Sequence, residues 1–206
     1  MRCVILGRDY IKNNTKRSMN INFVTGNRLK FDIAAAFFAP LGDNFRLIQR
    51  DIDTPEIQAE TMEEVAIWSA QDAVRQVGEA CIVSDAGLCI EALDGFPGPF
   101  LRYANKWLGI DGYLRLLASQ ANRRAYFEDT LAVAFPDGLV KTFTRREYGV
   151  IAESAAESQT GWAANDLFIP DGSNMPLGQL SHQDQVKFWG DGAWPDVLAY
   201  LQTQAK

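Results

Sequence analysis

Apolar and polar residues alternate in short runs of the chain, and such runs predict β-strands. The first run covers residues 21–24 and leads into a small polar segment, residues 25–27. Apolar positions over residues 29–38 then recur with helical spacing, and residues 45–52 alternate again. From residue 21 onward, the expected order is therefore a strand, a tight turn, a helix and a second strand.

A long helix is predicted over residues 61–77, where apolar positions recur near helical spacing and Gly78 provides the end. Residues 80–83 then form an apolar run that delivers the polar segment 84–87 at its carboxyl end. A strand, a helix and a strand in this order predict parallel pairing, because the helix returns the chain to the start of the next strand. We expect a mostly parallel core sheet.

The second half of the chain has a helical pattern over residues 112–119, followed by two long alternating runs at residues 123–135 and 139–148. The segment 136–138, Pro-Asp-Gly, is typical of the turn of a β-hairpin. Residues 194–204 have the pattern of a closing helix. The hairpin is expected to extend the sheet into a second lobe.

Residues 1–19 are basic and rich in asparagine, with no clear period, so they are interpreted as an N-terminal arm. Residues 20–206 contain no repeat and no low-complexity tract. We expect them to form one α/β domain.

The composition is that of an ordinary globular protein, since 47% of the 206 residues are hydrophobic and 22% are charged. Acidic residues exceed basic ones by 26 to 20, which gives a net charge of −6 and argues against a nucleic-acid partner. A polyphosphate remains possible as a ligand if a divalent metal and a few placed cations neutralise it.

No apolar run approaches about 20 residues, so no membrane partner is expected. The three cysteines form no Cys-x-x-Cys pair, and the chain has a single histidine. Neither a disulfide framework nor a histidine-rich zinc centre is indicated, and a reducing cytoplasmic location is expected.

The turn Thr25-Gly26-Asn27 lies where a strand meets a helix, and Lys30 follows in the first helical turn. Free backbone amides, the helix dipole and the lysine charge can face one anion there, which predicts a phosphate site. The alternative is that any such turn favours glycine and asparagine, and that the lysine is only solvated.

Asp85 follows an apolar strand, and open α/β sheets place their sites at such carboxyl ends. Glu56, Glu60, Glu63 and Glu64 supply further carboxylates nearby in sequence. Magnesium binds through carboxylate oxygens and substrate phosphates, so these acids are candidate ligands. The alternative for the last three is a solvated role at the start of the long helix.

Three stretches of the chain occur in a specific order: residues 23–30, 85–99 and 168–172. Together they resemble the inosine triphosphate pyrophosphatase family, also called the Ham1-like family. The resemblance covers about residues 21–201, and the segment from Gly-Leu to Pro-Gly-Pro within 85–99 is its most specific part.

The resemblance implies an α/β, two-lobed mixed-sheet fold with a central cleft, usually as a homodimer. It also implies Mg2+-dependent hydrolysis of a nucleoside triphosphate to the monophosphate and pyrophosphate. Typical substrates would be deaminated purine nucleotides, such as those of inosine and xanthosine.

Carried over by position, the resemblance implies catalytic roles for Asp85 and Lys30, with Asp85 helping to activate water. It implies metal binding by Glu56, Asp85 and Glu64. The residues that would bind the substrate are Thr25, Gly26, Asn27, Lys30, Ala86, Gly87, Leu88, Arg102, Trp162 and Asn165.

Several positions depart from the family pattern. Ser69 and Gln185 stand where the family has lysines, and Ser84 stands where it has an acid. Residues 189–191, Trp-Gly-Asp, stand at the family's Ser-His-Arg, whose last two residues recognise the purine oxygen.

The family's base-contacting loop corresponds to residues 162–165, where Trp162 is available to stack a purine and Asn165 replaces a carboxylate. Asp166 would substitute only if the loop shifted. Residues 181–183, Ser-His-Gln, are similar to the family's Ser-His-Arg but lie eight residues earlier in the chain. Ser181 with Asp184 is better explained as the start of a helix.

These departures predict an altered base preference for a pyrophosphatase whose catalytic half is retained. Two alternatives stay open. One is a nucleotide-binding or regulatory protein that has lost turnover, and the other is a pyrophosphatase for modified pyrimidine nucleotides.

Overall fold

A computed structural model describes residues 18–55, 57–156, 160–190 and 192–204. The strands are β1 (Met19–Val24), β2 (Phe45–Arg50), β3 (Cys81–Ile90), β4 (Pro97–Gly98), β5 (Arg124–Ala134), β6 (Val140–Ile151) and β7 (Phe168–Pro170). The helices are α1 (Arg28–Phe38), α2 (Met62–Val77), α3 (Leu101–Leu116), α4 (Ala163–Leu167), α5 (His182–Gly190) and α6 (Trp194–Gln204). Among the helices of these described ranges, none is long and apolar enough to cross a membrane.

The strands form one mixed sheet in the order β2-β1-β3-β5-β6-β7, with β4 paired to β3. Strand β1 is parallel to β2 and β3, whereas β3, β5, β6 and β7 pair antiparallel. The expected mostly parallel core is therefore limited to the first three strands. The β5–β6 hairpin joins β3 directly, which makes the sheet mixed.

Strand β3 is longer than the apolar run that predicts it. All ten of its residues pair with β5, from Cys81 opposite Ala134 to Ile90 opposite Ala125. The polar segment 84–87 was expected to follow the strand, and it lies inside the strand instead. Pairing with a long antiparallel neighbour holds this segment extended despite its small and polar side chains.

The helix ends carry local signals that the sequence displays. Thr61 caps α2 by accepting a hydrogen bond from the backbone of Glu64, and Gly78 ends α2 with a φ of 75°. The Ser181 hydroxyl accepts a hydrogen bond from the backbone of Asp184 at 3.1 Å. The capping role of Ser181 is thus confirmed.

Two layers of helices cover the first lobe of the sheet. On one face, α1 and α6 pack over alternate strand residues that include Phe23, Ile82 and Leu131. On the other face, α2 packs its alanines over the intervening residues, among them Val83 and Ala132. This alternation is what a sheet buried on both faces requires.

The second lobe has its own core, built where the far ends of β3 and β5 meet α3 and α4. Helix α3 begins at Leu101, eleven positions before the expected start at residue 112. Its backbone is interrupted at Gly109, with φ 58° and ψ −170°. That interruption breaks the helical period, which explains why the pattern reveals only the second part of the helix. Of the expected arm, Met19 already belongs to β1 and residues 1–17 lie outside the described ranges.

Candidate functional site

A cleft lies between the two cores on the face of β3 and β5 that carries α1. Along β3, Ile82 belongs to the first core and Leu88 to the second, and both side chains are on this face. Ser84 and Ala86 share the face between them. On β5 the corresponding gap is filled by Asp129, between Phe127 and Leu131. Polar and small residues therefore interrupt an otherwise continuous apolar face.

This gap opens into a cavity of about 440 Å³, a size suited to a nucleotide-sized ligand. Its apolar wall consists of Phe23, Leu29, Ile33, Ala86, Leu101, Phe127, Trp162, Trp189 and Trp194. Its polar wall consists of Asn27, Lys30, Ser84, Asp129, Asn165 and Gln185. Trp194 is also buried in the first core, so core and cavity roles coexist at this residue.

The predicted phosphate turn lies at one end of this cavity. Asn27 caps α1, because its Oδ1 atom accepts a hydrogen bond from the Lys30 backbone at 3.3 Å. The Asn27 backbone donates to Thr25 Oγ1 at 3.0 Å. A Cβ atom on Gly26 would lie 2.9 Å from Asp51 Oδ1, so the turn passes close to that carboxylate. Of the three turn residues, Asn27 lines the cavity.

Lys30 reaches from α1 to β3. Its Nζ atom donates a hydrogen bond to the backbone oxygen of Ser84 at 3.2 Å, and the Ser84 hydroxyl donates to Asp129 Oδ1 at 3.0 Å. Burial raises the pKa of Asp129, and this effect outweighs the lowering by the Lys30 charge and the Ser84 hydrogen bond. A cation and a half-buried carboxylate therefore both hydrogen-bond to one strand residue, Ser84.

Asp85 lies on the opposite face of β3, because side chains alternate along a strand. It lines a smaller cavity of about 110 Å³ together with Gln58 and Arg102. The two residues with predicted catalytic roles, Lys30 and Asp85, thus line different cavities. The cavities share Ala86, Leu101 and Trp162 as lining residues.

The edge of β3 connects these two faces. Pairing with β1 ends at Val83, and pairing with β4 begins at Leu88. Within the part of the chain that the structure describes, no strand pairs with the outer edge of residues 84–87 between them. A ligand lying across this edge would contact the Lys30 side and the Asp85 side at once.

Gly87 belongs to the most specific motif, and its position in the fold requires a glycine. A Cβ atom at Gly87 would lie 2.5 Å from the carbonyl oxygen of Gly98 and 2.7 Å from Met62 Sδ. Only a residue without a side chain allows β4 and α2 to approach β3 this closely. Leu88 is 1% exposed in the second core, so any contact of Leu88 with a substrate would come from its backbone.

The two predicted metal ligands that the structure describes, Asp85 and Glu64, lie in different surroundings. Asp85 lines the smaller cavity beside Ile57 and Gln58, and Glu56 lies outside the described residues. Glu64 Oε2 accepts hydrogen bonds from Glu60 N, Thr61 N and Thr61 Oγ1, so a metal role would compete with the cap of α2.

Among the described residues, no group of three or more His, Cys, Asp or Glu side chains is arranged to hold a metal ion. Mg2+ is commonly held by one or two carboxylates together with substrate phosphates. Asp85 beside an open strand edge fits that chemistry.

Residues of the predicted base site also line the larger cavity. Trp162 is 39% exposed and lines both cavities, and Asn165 and Gln185 face the larger one. Asp166 is 1% exposed, and its Oδ1 atom accepts two hydrogen bonds from Thr160 at 2.8 Å. Asn165, rather than Asp166, is therefore the residue presented to the cavity, and Asp191 lies outside the described residues.

Asp129 lines the cavity but is not among the residues predicted from the sequence. A signal for it exists: Asp129 lies at an inward position of an alternating strand, between Phe127 and Leu131 on the same face. A lone acid in such a stripe faces the apolar side of the strand and therefore requires an explanation. Phe127, also missed, lines the cavity from the same strand.

Comparison with known proteins identifies relatives over most of the chain. The model of the Ham1 family matches residues 21–188. A dITP/XTP pyrophosphatase of Methanopyrus kandleri is 35% identical over 169 residues, which are 82% of this chain and 88% of that protein. One of Thermococcus kodakarensis is 36% identical over 167 residues, covering 81% and 88% of the two chains.

Solved structures agree in fold. A HAM1 protein from Coxiella burnetii superimposes with a TM-score of 0.75 at 23% identity, covering 90% of this chain and 99% of that one. The Ham1 protein of Staphylococcus aureus gives a TM-score of 0.72 at 24% identity, with the same coverage of 90% and 99%. The two-lobed mixed-sheet α/β fold expected from the resemblance is confirmed.

Proposed function

This chain belongs to the Ham1 family, and from that premise we propose that it hydrolyses non-standard purine nucleoside triphosphates to the monophosphate and pyrophosphate. The observation that carries the proposal is the open edge of β3 at residues 84–87, between the cavity of Lys30 and the cavity of Asp85. A triphosphate lying across this edge would present its charge to both residues. The base would then occupy the larger, aromatic cavity.

The chain's own residues account for binding and orientation. The positive N-terminus of α1 and the Lys30 ammonium attract the phosphates and hold them at the strand edge. Trp162, on the rim shared by the two cavities, stacks on the base. Fixing both ends of the nucleotide brings the bond between the α and β phosphates next to Asp85.

Asp85 has the role of general base in this proposal. Its carboxylate accepts a proton from water while the water oxygen bonds to phosphorus and the bond to the bridging oxygen breaks, with pyrophosphate leaving. Mg2+ held by Asp85 and Glu56 would supply charge neutralisation for the phosphates. Glu64 stays a predicted third ligand.

An altered base preference belongs to the same proposal. Asn165 and Gln185 line the larger cavity where the family pattern has charged groups, and Trp189 lines it at the position of the serine that precedes the family's base-reading His-Arg. Stacking discriminates weakly among bases, because each base offers a π-face, whereas hydrogen bonding to the base edge discriminates strongly. We therefore expect a smaller preference for inosine over adenosine and guanosine than the family pattern implies.

The test is a panel of nucleoside triphosphates incubated with Mg2+, in which pyrophosphate and orthophosphate are assayed separately. Equal amounts of monophosphate and pyrophosphate are expected from inosine and xanthosine triphosphates. Release of orthophosphate alone would exclude the proposed cleavage position. Nucleotide binding without turnover would favour the regulatory alternative, and turnover restricted to modified pyrimidine nucleotides would favour the other.

The base preference is measured as the ratio of kcat/KM for inosine, adenosine and guanosine triphosphates. A strong preference of the wild-type chain for inosine would contradict this part of the proposal. A homodimer, implied by the resemblance, is proposed as the assembly, and sedimentation velocity at micromolar concentration tests it. A monomer under those conditions would contradict the dimer.

A further inference from the structure

Asp129 is the only carboxylate among the described residues that line the larger cavity. It lies on β5 opposite Ala86 of β3, on the face shared with Ser84. The proposed hydrolysis assigns no role to this acid. Because Asp129 lies between two apolar cores, desolvation disfavours its charged form and raises its pKa.

Ser84 links Asp129 to Lys30. Its hydroxyl donates a hydrogen bond to Asp129 Oδ1 at 3.0 Å, and its backbone oxygen accepts one from Lys30 Nζ at 3.2 Å. The Lys30 charge also stabilises the carboxylate of Asp129 across the cavity. The ammonium is thus hydrogen-bonded to the Ser84 carbonyl, and the carboxylate that the Ser84 hydroxyl binds adds an attractive charge.

The family pattern has an acid at the position of Ser84, so that the expected site would carry its carboxylate on β3. In this chain the carboxylate is present on the neighbouring strand, within hydrogen-bond distance of the serine that replaces it. The charge of the site is therefore relocated by one strand.

We propose that Asp129 is a positioning residue for Lys30. Asp129 supplies from β5 the negative charge that the family pattern has at position 84. The inference rests on the proposed function, because Lys30 is the residue whose orientation it explains. Asp129 keeps the ammonium at the open edge of β3, where the substrate phosphates would arrive.

This role separates two kinetic effects. A carboxylate that orients Lys30 assists the chemical step, and its loss lowers kcat, by about 10- to 100-fold for a misplaced catalytic group. The same carboxylate repels the negative charge of the substrate, so its loss leaves KM unchanged or lowers it. A residue that only supports the fold would move neither parameter in this combination.

The central experiment compares Asp129→Asn with wild type in the magnesium-dependent hydrolysis of inosine triphosphate. The matched control is Glu128→Gln, since Glu128 is the adjacent acid on β5 and its Oε2 atom accepts from Arg146 Nε at 2.7 Å on the other face. We expect the kcat of Asp129→Asn to fall without a rise in KM, and Glu128→Gln to behave like wild type.

A relocation variant sharpens the test. Adding Ser84→Glu to Asp129→Asn returns the carboxylate to β3, and most of the lost kcat should reappear. Ser84→Glu alone places two acids together and should lower activity. An unchanged kcat in Asp129→Asn, a rise in its KM alone, or no rescue by Ser84→Glu would overturn the proposal.

Failure of the proposed function is recognisable separately, as the absence of pyrophosphate release from wild type. In that case the electrostatic coupling of Asp129 and Lys30 is judged by thermal unfolding of Asp129→Asn, Lys30→Met and the double variant. Non-additive shifts of Tm support the coupling of the two charges, and additive shifts overturn it.

Discussion

The two ends of the cleft are built in different ways. At the predicted phosphate end, Asn27, Lys30 and Ser84 are positioned by a helix cap and by a strand that pairs along its whole length with β5. At the predicted base end, Trp162 and Gln185 come from separate segments around α4 and α5. The first end depends on backbone geometry, and the second depends on which side chains happen to line it.

This difference teaches where each kind of specificity is stored. Backbone amides, a helix terminus and a strand edge recognise phosphate without regard to the base. Discrimination among bases depends on hydrogen bonds from individual side chains, which can be exchanged without altering the fold. The phosphate end is thus expected to respond to mutation with loss of rate, and the base end with changes in selectivity.

The largest effect is expected for Asp85→Asn, which retains the shape of the side chain but removes its charge and its capacity to accept a proton. We expect kcat to fall by about 10²- to 10⁴-fold with little change in Tm, since this is the usual contribution of a general base. Asp43→Asn, at an exposed 3-10 turn, serves as the control. Turnover close to that of wild type would remove Asp85 from the mechanism.

A smaller but substantial effect is expected for Lys30→Met, which keeps most of the side-chain volume and removes the ammonium. Because the proposed mechanism has this charge stabilise both the bound phosphates and the transition state, kcat/KM should fall by about 100-fold or more. Lys106→Met on the exposed surface of α3 is the matched control. Equal losses in both variants would mean that the effect is one of general charge.

At the base end, Trp162→Ala should raise KM by about tenfold for every purine tested, because a stacking contact is worth about 1–3 kcal/mol and tolerates any base. Trp107→Ala provides the control, since Trp107 is 72% exposed on α3 and lines neither cavity. A large change in the ratio of kcat/KM between inosine and adenosine triphosphates would show that Trp162 also reads the base edge.

The smallest effect concerns stability. The pKa of Asp129 is raised in the folded chain, so the native state binds more protons than the unfolded state above the ordinary pKa near 4. As pH rises above about 4, the contribution of Asp129 to the free energy of unfolding therefore falls, until the carboxyl group has lost its proton in the folded chain as well. Asp129→Asn should remove this dependence and raise Tm at pH 7 by roughly a few degrees, as measured by calorimetry between pH 4 and 7. A lower Tm across this range would contradict the raised pKa.

The order of strands and helices could be predicted from sequence because periodicity and turn residues are local signals. The beginning of α1, the long helix α2, the β5–β6 hairpin and the closing helix all follow this logic. The extension of β3 to Ile90 could not be predicted, since it depends on pairing with β5, about forty residues later. Tertiary pairing overrides the weak strand propensity of residues 84–87.

The candidate site was predictable to the same degree. The turn residues and Lys30 follow from a strand, a turn and a helix in sequence, and the structure brings Asn27 and Lys30 to one cavity. The division of Lys30 and Asp85 between two faces depends on strand register, which no local pattern reveals. Asp129 required knowledge of which strand lies beside β3.

Trp189 has a consequence for how the molecule unfolds. Its half-buried ring packs against both cores, and its centroid is 5.2 Å from that of Phe127 in an edge-to-face contact. A side chain shared by two cores links their loss of structure, so the lobes should melt in one cooperative transition rather than two. Because the same ring lines the cavity, a bound ligand should protect backbone amides against hydrogen exchange on both sides of the cleft, including those distant from any contact with the ligand.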